Sequence, residues 1–271
     1  MLAWPDMDGV LARPERDETS PLRVDSHSPR PWPAIGSRPL LGANGTEAMV
    51  ARILRFVQLT GTPWTSAHIG FSVADLSLNT AESLSTQATS DVLTRGQALG
   101  NIACNARALA QRLPVPLLLE NLPSFPNLAH IHICEPDFIT EVIKDTGCGL
   151  LVDLAHARVS ADMLGHDVHD YLLQLPLDRA VELHVSGPRR VSETDARRRA
   201  RLLNEARSVA HLFRFGDDSL LDAHEPMQEE DYALLQWALE RIRPKAVTSE
   251  FYREPEALGD ELIQLGQILG R

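Results

Sequence analysis

Residues 149–185 read GLLVDLAHARVSADMLGHDVHDYLLQLPLDRAVELHV, and this stretch indicates the fold class. Two short apolar segments, Gly149–Asp153 and Ala180–Val185, flank residues 161–173, which have the pattern of a helix. Continuous apolar segments of about five residues are typical of strands that are buried on both faces of a parallel sheet. A strand, a helix and a second strand in this order predict one unit of a parallel α/β protein.

The same alternation continues on both sides of this unit. Further strands are predicted at residues 64–71, 115–120 and 246–250, with a short strand or loop at 220–224. Further helices are predicted at residues 46–61, 91–113, 135–146, 229–242 and 254–269. We therefore predict an α/β fold with a single TIM-like (β/α) barrel of the xylose-isomerase-like type over residues 1–271, with a doubly wound sheet as the alternative. The strands number about six, and a complete barrel has eight, so we expect the first β/α unit to be absent.

Two segments depart from the regular alternation. Residues 1–45 contain many prolines and glycines and are expected to be irregular. Residues 188–218 carry eight arginines and are expected to form an insertion, either a solvated helix or a docking face for an acidic partner.

Composition and charge exclude several classes of protein. The chain has 26 basic and 37 acidic residues and a net charge of −11, which repels phosphates and argues against nucleic-acid or anionic-membrane binding. It has no apolar segment of the roughly 18 residues that span a bilayer and no secretory signal pattern. The three cysteines have neither metal-ribbon nor disulfide-framework spacing. We therefore expect a cytoplasmic protein.

Imidazole and carboxylate side chains recur where the predicted strands end. These residues are His27, His68, Glu120, Asp153, His184, Asp222, His224 and Glu250. The C-terminal strand ends of an α/β barrel face one mouth, and buried acids without a partner are costly, so the repetition favours a metal site. The mixture of donors suits iron, manganese, cobalt or zinc better than calcium, and the number of carboxylates favours two or three ions.

Several of these residues also have an ordinary structural role open to them. An acid at a strand end commonly caps the following helix. His156, three residues after Asp153, is predicted either to bind the metal or to hydrogen-bond a ligand carboxylate. The other histidines lie in predicted loops or on helix faces and are expected to be solvated; they are His130, His132, His166, His169 and His211.

Residues 146–187, TGCGLLVDLAHARVSADMLGHDVHDYLLQLPLDRAVELHVSG, resemble the central block of the multinuclear non-haem iron-dependent oxidases. That family includes the iron oxidase of methanobactin biosynthesis. Four further segments resemble family motifs in the same order: TSAHIGFS (65–72), LLLENLPSF (117–125), DAHEPM (222–227) and TSEF (248–251). The resemblance extends over roughly residues 46–270.

The resemblance implies a TIM-like barrel with two or three irons, bound by the strand-end residues named above. His27, in RVDSHSP, matches a histidine of another family strand. Many members have an asparagine near the position where this chain has His156, so His156 and Asn121 are implied as supporting residues or as ligands of a third metal ion.

The implied activity is that of an enzyme that uses dioxygen to oxidise a residue, often cysteine, in a ribosomally made precursor peptide, or a small thiol. A partner protein usually delivers the peptide. A barrel without its first unit would expose an edge, which favours a homodimer. Two alternatives remain open: a divalent-metal-dependent enzyme of the sugar isomerase, epimerase or endonuclease kind, and a degenerate barrel without activity.

Overall fold

The computed structural model describes residues 44–74, 76–78, 86–88, 90–194 and 196–270. Of the region predicted to be irregular, residues 1–45, only the last two residues are among these. His27, predicted there as a strand-end residue, lies outside the described residues.

The strands of the described residues form one large sheet and two small ones. In chain order they are β1 (Thr65–His68), β2 (Leu76–Leu78), β3 (Thr86–Ala88), β4 (Leu117–Glu120), β5 (Gly149–Asp153), β6 (Ala180–Val185), β7 (Gly187–Arg190), β8 (Leu220–Glu225) and β9 (Ala246–Ser249). The large sheet is parallel and has the order β1-β4-β5-β6-β9, which follows the chain. A doubly wound sheet reverses its strand order, whereas a (β/α) barrel does not. The predicted α/β fold with barrel winding is thereby confirmed.

Helices connect and cover these strands. They are α1 (Asn44–Thr60), α2 (Arg95–Ala110), α3 (Pro136–Thr146), α4 (Leu154–Leu164), α5 (Val168–Leu173), α6 (Ala196–Ala206), α7 (Glu229–Leu239) and α8 (Pro255–Ile268). Buried aliphatic side chains of the sheet, such as Leu150, Val152 and Leu183, pack with those of the helices in one core. In the part of the chain that the structure describes, no helix is long and apolar enough to cross a membrane.

The prediction of one helix over residues 161–173 is wrong: the structure has two helices there, α4 over Leu154–Leu164 and α5 over Val168–Leu173. The α4 helix begins directly after β5, because the Asp153 side chain accepts the backbone N–H of His156 at 2.7 Å and caps it. It ends at Gly165, which has a positive φ of 73°. The early start places His156 inside the first turn of α4, where it is held close to the end of β5.

The strand predicted at residues 220–224 exists, but it lies outside the parallel sheet. It forms β8, which pairs antiparallel with β7. A Cβ atom at Gly187 would lie 2.3 Å from the carbonyl oxygen of Pro226, so only glycine allows the two strands to approach in this way. This antiparallel pair returns the chain to the end of β6 and brings Asp222 and His224 close to the ends of the parallel strands.

The large sheet curves around its inner face. Trp64, just before β1, donates its Nε1 hydrogen to Oε2 of Glu182 in β6 at 2.6 Å, although β4 and β5 lie between these strands. A flat sheet would hold β1 and β6 about 14 Å apart. Side chains on the inner face of β1 therefore meet those of β6, as in a barrel wall.

Candidate metal centre

The strand ends bring most of the predicted site residues into one continuous cluster. His68 lies beside Glu120 in the pairing of β1 with β4, and Asp153 lies beside His184 in the pairing of β5 with β6. Among the described residues, donor atoms lie within 4.8 Å of one another in three groups: His68, Glu120 and His156; Glu120, Asp153, His184 and Glu250; and His156, Asp222 and His224. Glu120 and His156 each belong to two groups, so the groups are adjacent.

Glu120 lies at the centre of the cluster and faces two groups with its two oxygens. Its Oε2 is 3.5 Å from Nε2 of His68, and its Oε1 is 3.4 Å from Nδ1 of His184. Glu250 approaches the same His184 nitrogen, at 3.1 Å through Oε1. A carboxylate in this position has the geometry to join two cation sites.

The group on the side of the β7–β8 pair consists of Asp222, His224 and His156. Nε2 of His224 is 3.2 Å from Oδ1 of Asp222, and Nε2 of His156 is 3.5 Å from Oδ2 of the same carboxylate. Glu250 Oε2 lies 3.6 Å from Nε2 of His224 and connects this group to the end of β9. His224 is the more open member, with a third of its side chain exposed.

Three buried donor atoms of the cluster have no hydrogen-bond partner within the described residues. They are Oδ2 of Asp153, Nδ1 of His184 and Oδ1 of Asp222. Leaving such atoms unpaired is costly, and in folded proteins they normally contact water or an ion. Imidazole and carboxylate donors without a thiolate suit iron, manganese or zinc. The residues present therefore fit a centre of more than one transition-metal ion.

Asn121 fixes the geometry of this cluster rather than offering it a free donor. Its side chain donates to the backbone oxygen of Asp153 at 3.0 Å and accepts from the backbone N–H of the same residue at 2.9 Å. Its own backbone oxygen lies 2.8 Å from Nδ1 of His156. A carbonyl only accepts, so Nδ1 of His156 carries the proton and Nε2 is left to face Asp153 and Asp222.

Charge interactions shift the pKa values of the site in opposite directions. Burial raises the pKa of Asp153 to about 7, with the charges of Glu250 and Glu120 adding to the rise and that of His156 opposing it. Burial also acts to raise the pKa of Asp222, but the adjacent His156 and His224 hold it well below its usual range. Without metal, these carboxylates are therefore neutralised by protons and by protonated histidines.

The pKa values of three histidines of the cluster, His156, His184 and His224, lie above the ordinary value, because the charges of nearby carboxylates outweigh the effect of burial. Burial lowers the pKa of His184, but the charges of Glu250 and Glu120 raise it well above its usual value. Burial likewise opposes a rise at His224, yet Asp222 raises its pKa to about 9. A metal ion would have to displace these protons, which is the expected behaviour of a cation site.

Arg253 supports the backbone at His224. Its Nη2 donates to the backbone oxygens of Ala223 and His224 at 2.7 and 2.6 Å. His224 has a φ of 48°, a left-handed conformation that is unfavourable for a residue with a side chain. The strand-end criterion did not identify Arg253, because its side chain acts on the backbone of β8, about 30 residues earlier in the chain.

The expectation that His130 is solvated is wrong. Its side chain is buried, with its ring 5.5 Å from that of Phe71 and 5.2 Å from that of Phe125 between ring centres. Burial lowers the pKa of His130 to about 3, so the ring is neutral. A sequence pattern does not reveal this, because the enclosing aromatic residues come from two separate loops.

Comparison with known families gives a match over most of the chain. A family model described as RiPP precursor modification enzyme MbnB/TglH/ChrH matches residues 35–262. A UPF0276 protein of Caulobacter vibrioides is 31% identical over 166 residues, which are 60% of this chain and 50% of that protein. A UPF0276 protein of Bordetella pertussis is 30% identical over 172 residues, 63% of this chain and 53% of that protein. The chain thus spans about half the length of the curated relatives it matches.

Solved structures give weaker likenesses. Endonuclease IV of Thermus thermophilus aligns with a TM-score of 0.46 and 18% identity, covering 86% of this chain and 72% of that one. A xylose isomerase-like TIM barrel protein of Mycobacterium smegmatis, solved with magnesium, aligns with a TM-score of 0.47 and 14% identity, covering 85% and 69%.

Proposed function

The chain belongs to the MbnB/TglH/ChrH family of RiPP precursor modification enzymes, and on this premise we propose that it is a multinuclear non-haem iron oxidase. In this proposal it uses dioxygen to modify a residue, often cysteine, of a precursor peptide, or to oxidise a small thiol. A partner protein that delivers the peptide and a homodimeric assembly belong to the same proposal.

The observation that carries the proposal is that the two oxygens of Glu120 face two adjacent donor groups, with a third group beside them. One group, Glu120, Asp153, His184 and Glu250, would hold one iron. His156, Asp222 and His224 would hold a second, with His156 contributing Nε2 because its Nδ1 faces the Asn121 carbonyl.

A third iron would lie at His68 and Glu120. His27 is a further ligand predicted from the sequence and lies outside the described residues. His156 also belongs to this group by distance, but one imidazole nitrogen binds one ion. The number of irons in the proposal is therefore two or three.

Iron bound here would supply electrons for the reduction of dioxygen and a positive charge that lowers the pKa of a substrate thiol. The protein residues bind, orient and exclude water. Asp153 is fully buried at the base of the cluster, whereas His68 and His224 keep about a quarter and a third of their side chains exposed. A substrate would therefore approach from the side of these two histidines, and the buried carboxylates would compensate the metal charge in a dry environment.

The test measures metal content and oxygen chemistry on the same protein. The chain is purified anaerobically, loaded with Fe²⁺, and studied by elemental analysis, Mössbauer spectroscopy and oxygen-electrode measurements before and after exposure to dioxygen. The proposal expects two or three irons per chain, spectra of coupled iron sites, and oxygen consumption that accompanies iron oxidation. Glu120→Gln should lose iron and oxygen consumption together.

A matched control is Glu240→Gln, which changes an exposed side chain bound to Arg241 and should leave both measurements unchanged. Retention of manganese, magnesium or zinc in place of iron, without oxygen consumption, would replace the proposal by a divalent-metal isomerase or nuclease. A chain that retains no metal with its donors intact would indicate a degenerate barrel.

A further inference from the structure

Glu182 lies beside the candidate metal centre without belonging to any of its donor groups. It precedes His184 by two residues on β6, so both side chains point to the same face of the strand. Only 13% of each side chain is exposed. A carboxylate in this position needs partners, because burying an unpaired charge is costly.

Two fixed donors hold the carboxylate of Glu182 in place. Trp64 donates its Nε1 hydrogen to Oε2 at 2.6 Å, and Thr248 donates its hydroxyl hydrogen to Oε1 at 2.7 Å. The indole nitrogen has no acceptor capacity, so the atom facing it must be an oxygen that accepts. The side chain is therefore anchored by the residue just before β1 on one side and by a residue of β9 on the other.

The same Oε1 faces the imidazole of His184. It lies 3.5 Å from Nε2, while Nδ1 of the ring points to Oε1 of Glu250 at 3.1 Å and to Oε1 of Glu120 at 3.4 Å. Nδ1 has no hydrogen-bond partner in the described part of the chain. One nitrogen thus faces an anchored carboxylate, and the other faces the donor group.

We propose that Glu182 is a positioning residue that keeps the proton of His184 on Nε2 and thereby presents Nδ1 to the metal. A neutral imidazole carries one ring proton. Glu120 and Glu250 belong to the donor group and would bind the metal, so Glu182 is the adjacent carboxylate left to accept the ring proton, and it faces Nε2. Carboxylates that orient metal-binding histidines in this way act without touching the metal. The inference rests on the metal-binding function proposed above.

Glu182→Gln tests the proposal, because the amide has only one accepting atom. Trp64 can only donate, so the amide oxygen must face it, and the NH₂ group then faces Thr248, whose hydroxyl can accept. The same NH₂ group lies next to Nε2 of His184 and favours the tautomer with the proton on Nδ1. In that tautomer Nδ1, the nitrogen that faces the donor group, has no lone pair for the metal, and we expect metal affinity to fall about 10–100-fold at one ion.

Glu261→Gln is the matched control. Glu261 is also a buried carboxylate that accepts two neutral donors, the backbone N–H of Met227 at 2.9 Å and the hydroxyl of Ser249 at 2.6 Å. It forms neither a hydrogen bond nor an ion pair with a histidine among the described residues. Glu261→Gln also replaces a buried carboxyl group by an amide, but this amide faces no histidine ring in the described residues. Metal affinity should therefore not change.

The measurements are a competition titration with Zn²⁺ and a chelator, and ¹⁵N NMR of the histidine rings in the zinc-loaded protein. The wild type should show His184 protonated at Nε2, and Glu182→Gln should lose both that signal and the affinity. Unchanged Zn²⁺ affinity in Glu182→Gln would overturn the proposal. Protonation of His184 at Nδ1 in the zinc-loaded wild type would also overturn it, and this measurement does not require the variant to fold. A wild type that binds neither zinc nor iron would overturn the proposed function as well, which separates the two failures.

Discussion

Asp153 is a residue at which metal binding and the stability of the metal-free protein are expected to conflict. Its side chain is fully buried, its Oδ1 accepts the backbone N–H of His156, and its Oδ2 has no hydrogen-bond partner among the described residues. Asp153→Asn keeps the shape and the Oδ1 acceptor but removes the charge. We expect the variant to lose metal from the group with Glu120, His184 and Glu250, and to be more stable than the wild type without metal.

The size of the stability change follows from the pKa of Asp153. The pKa rises from 3.8 to about 7, mainly through burial. Between these values the folded protein holds a proton that the unfolded chain has released, so stability falls as the pH rises through this window. One pKa unit corresponds to about 1.4 kcal/mol, so charged Asp153 destabilises the metal-free fold by about 4 kcal/mol above pH 7.

The assay is urea unfolding of chelator-treated protein at pH 8 and at pH 5. Asp153→Asn should raise the free energy of unfolding by about 4 kcal/mol at the higher pH and by about 2 kcal/mol at the lower one. Asp222→Asn is the matched comparison with the opposite sign. Burial acts to raise the pKa of Asp222, but His156 and His224 hold it well below its usual range, so its charge stabilises the metal-free fold and its loss should destabilise it.

Two results would refute this reasoning about Asp153. If metal-free Asp153→Asn is no more stable than the wild type above pH 7, the charge of Asp153 does not destabilise the metal-free fold. Full metal content in the same variant, measured by elemental analysis, would show that Asp153 does not bind metal. Both variants are expected to lose metal, so only the metal-free stabilities should differ in sign.

Glu120→Gln should lower the metal content more than Asp222→Asn does, because Glu120 belongs to two donor groups; equal losses in elemental analysis would contradict its central role. Arg253→Gln removes two hydrogen bonds to the backbone and should release the left-handed conformation of His224, lowering the free energy of unfolding by about 1–2 kcal/mol and weakening Zn²⁺ binding in a chelator titration. Unchanged values in both measurements would show that His224 keeps its position without Arg253. His130 has a pKa of about 3 in the fold because it is buried, so below pH 6.5 the unfolded chain takes up a proton that the folded protein does not. Wild-type stability should therefore fall with decreasing pH by up to about 1.4 kcal/mol per pH unit more than that of His130→Phe, and parallel curves in urea unfolding would contradict this.

The parallel strands were predictable because each is a short apolar segment that ends in a chemically distinct residue. The β5 and β6 strands occupy the predicted residues, Gly149–Asp153 and Ala180–Val185, and β4 and β9 differ from prediction by no more than two residues at one end. Segments governed by contacts with other parts of the chain were less predictable. Capping by Asp153 moved the start of α4, and pairing with β7 removed β8 from the parallel sheet.

The candidate site divides in the same way. The strand-end residues could be identified from sequence because the ends of parallel strands share one edge. The burial of His130 and the roles of Arg253 and Glu182 depend on partners far away in the chain, and local patterns carry no signal for them.

The sequence by itself determined the kinds of donor, their places at strand ends and the α/β winding, because these follow from apolar periodicity and from residue chemistry. Only the tertiary structure decided which donors share a group, which nitrogen of His156 and His184 is free, and that Glu120 lies between two groups. The physical reason is that the grouping of the donors depends on the order and curvature of the large sheet and on the β7–β8 pair, which brings Asp222 and His224 to the strand ends. These set distances between residues that are separated by tens of positions in the chain, and no local pattern encodes such distances.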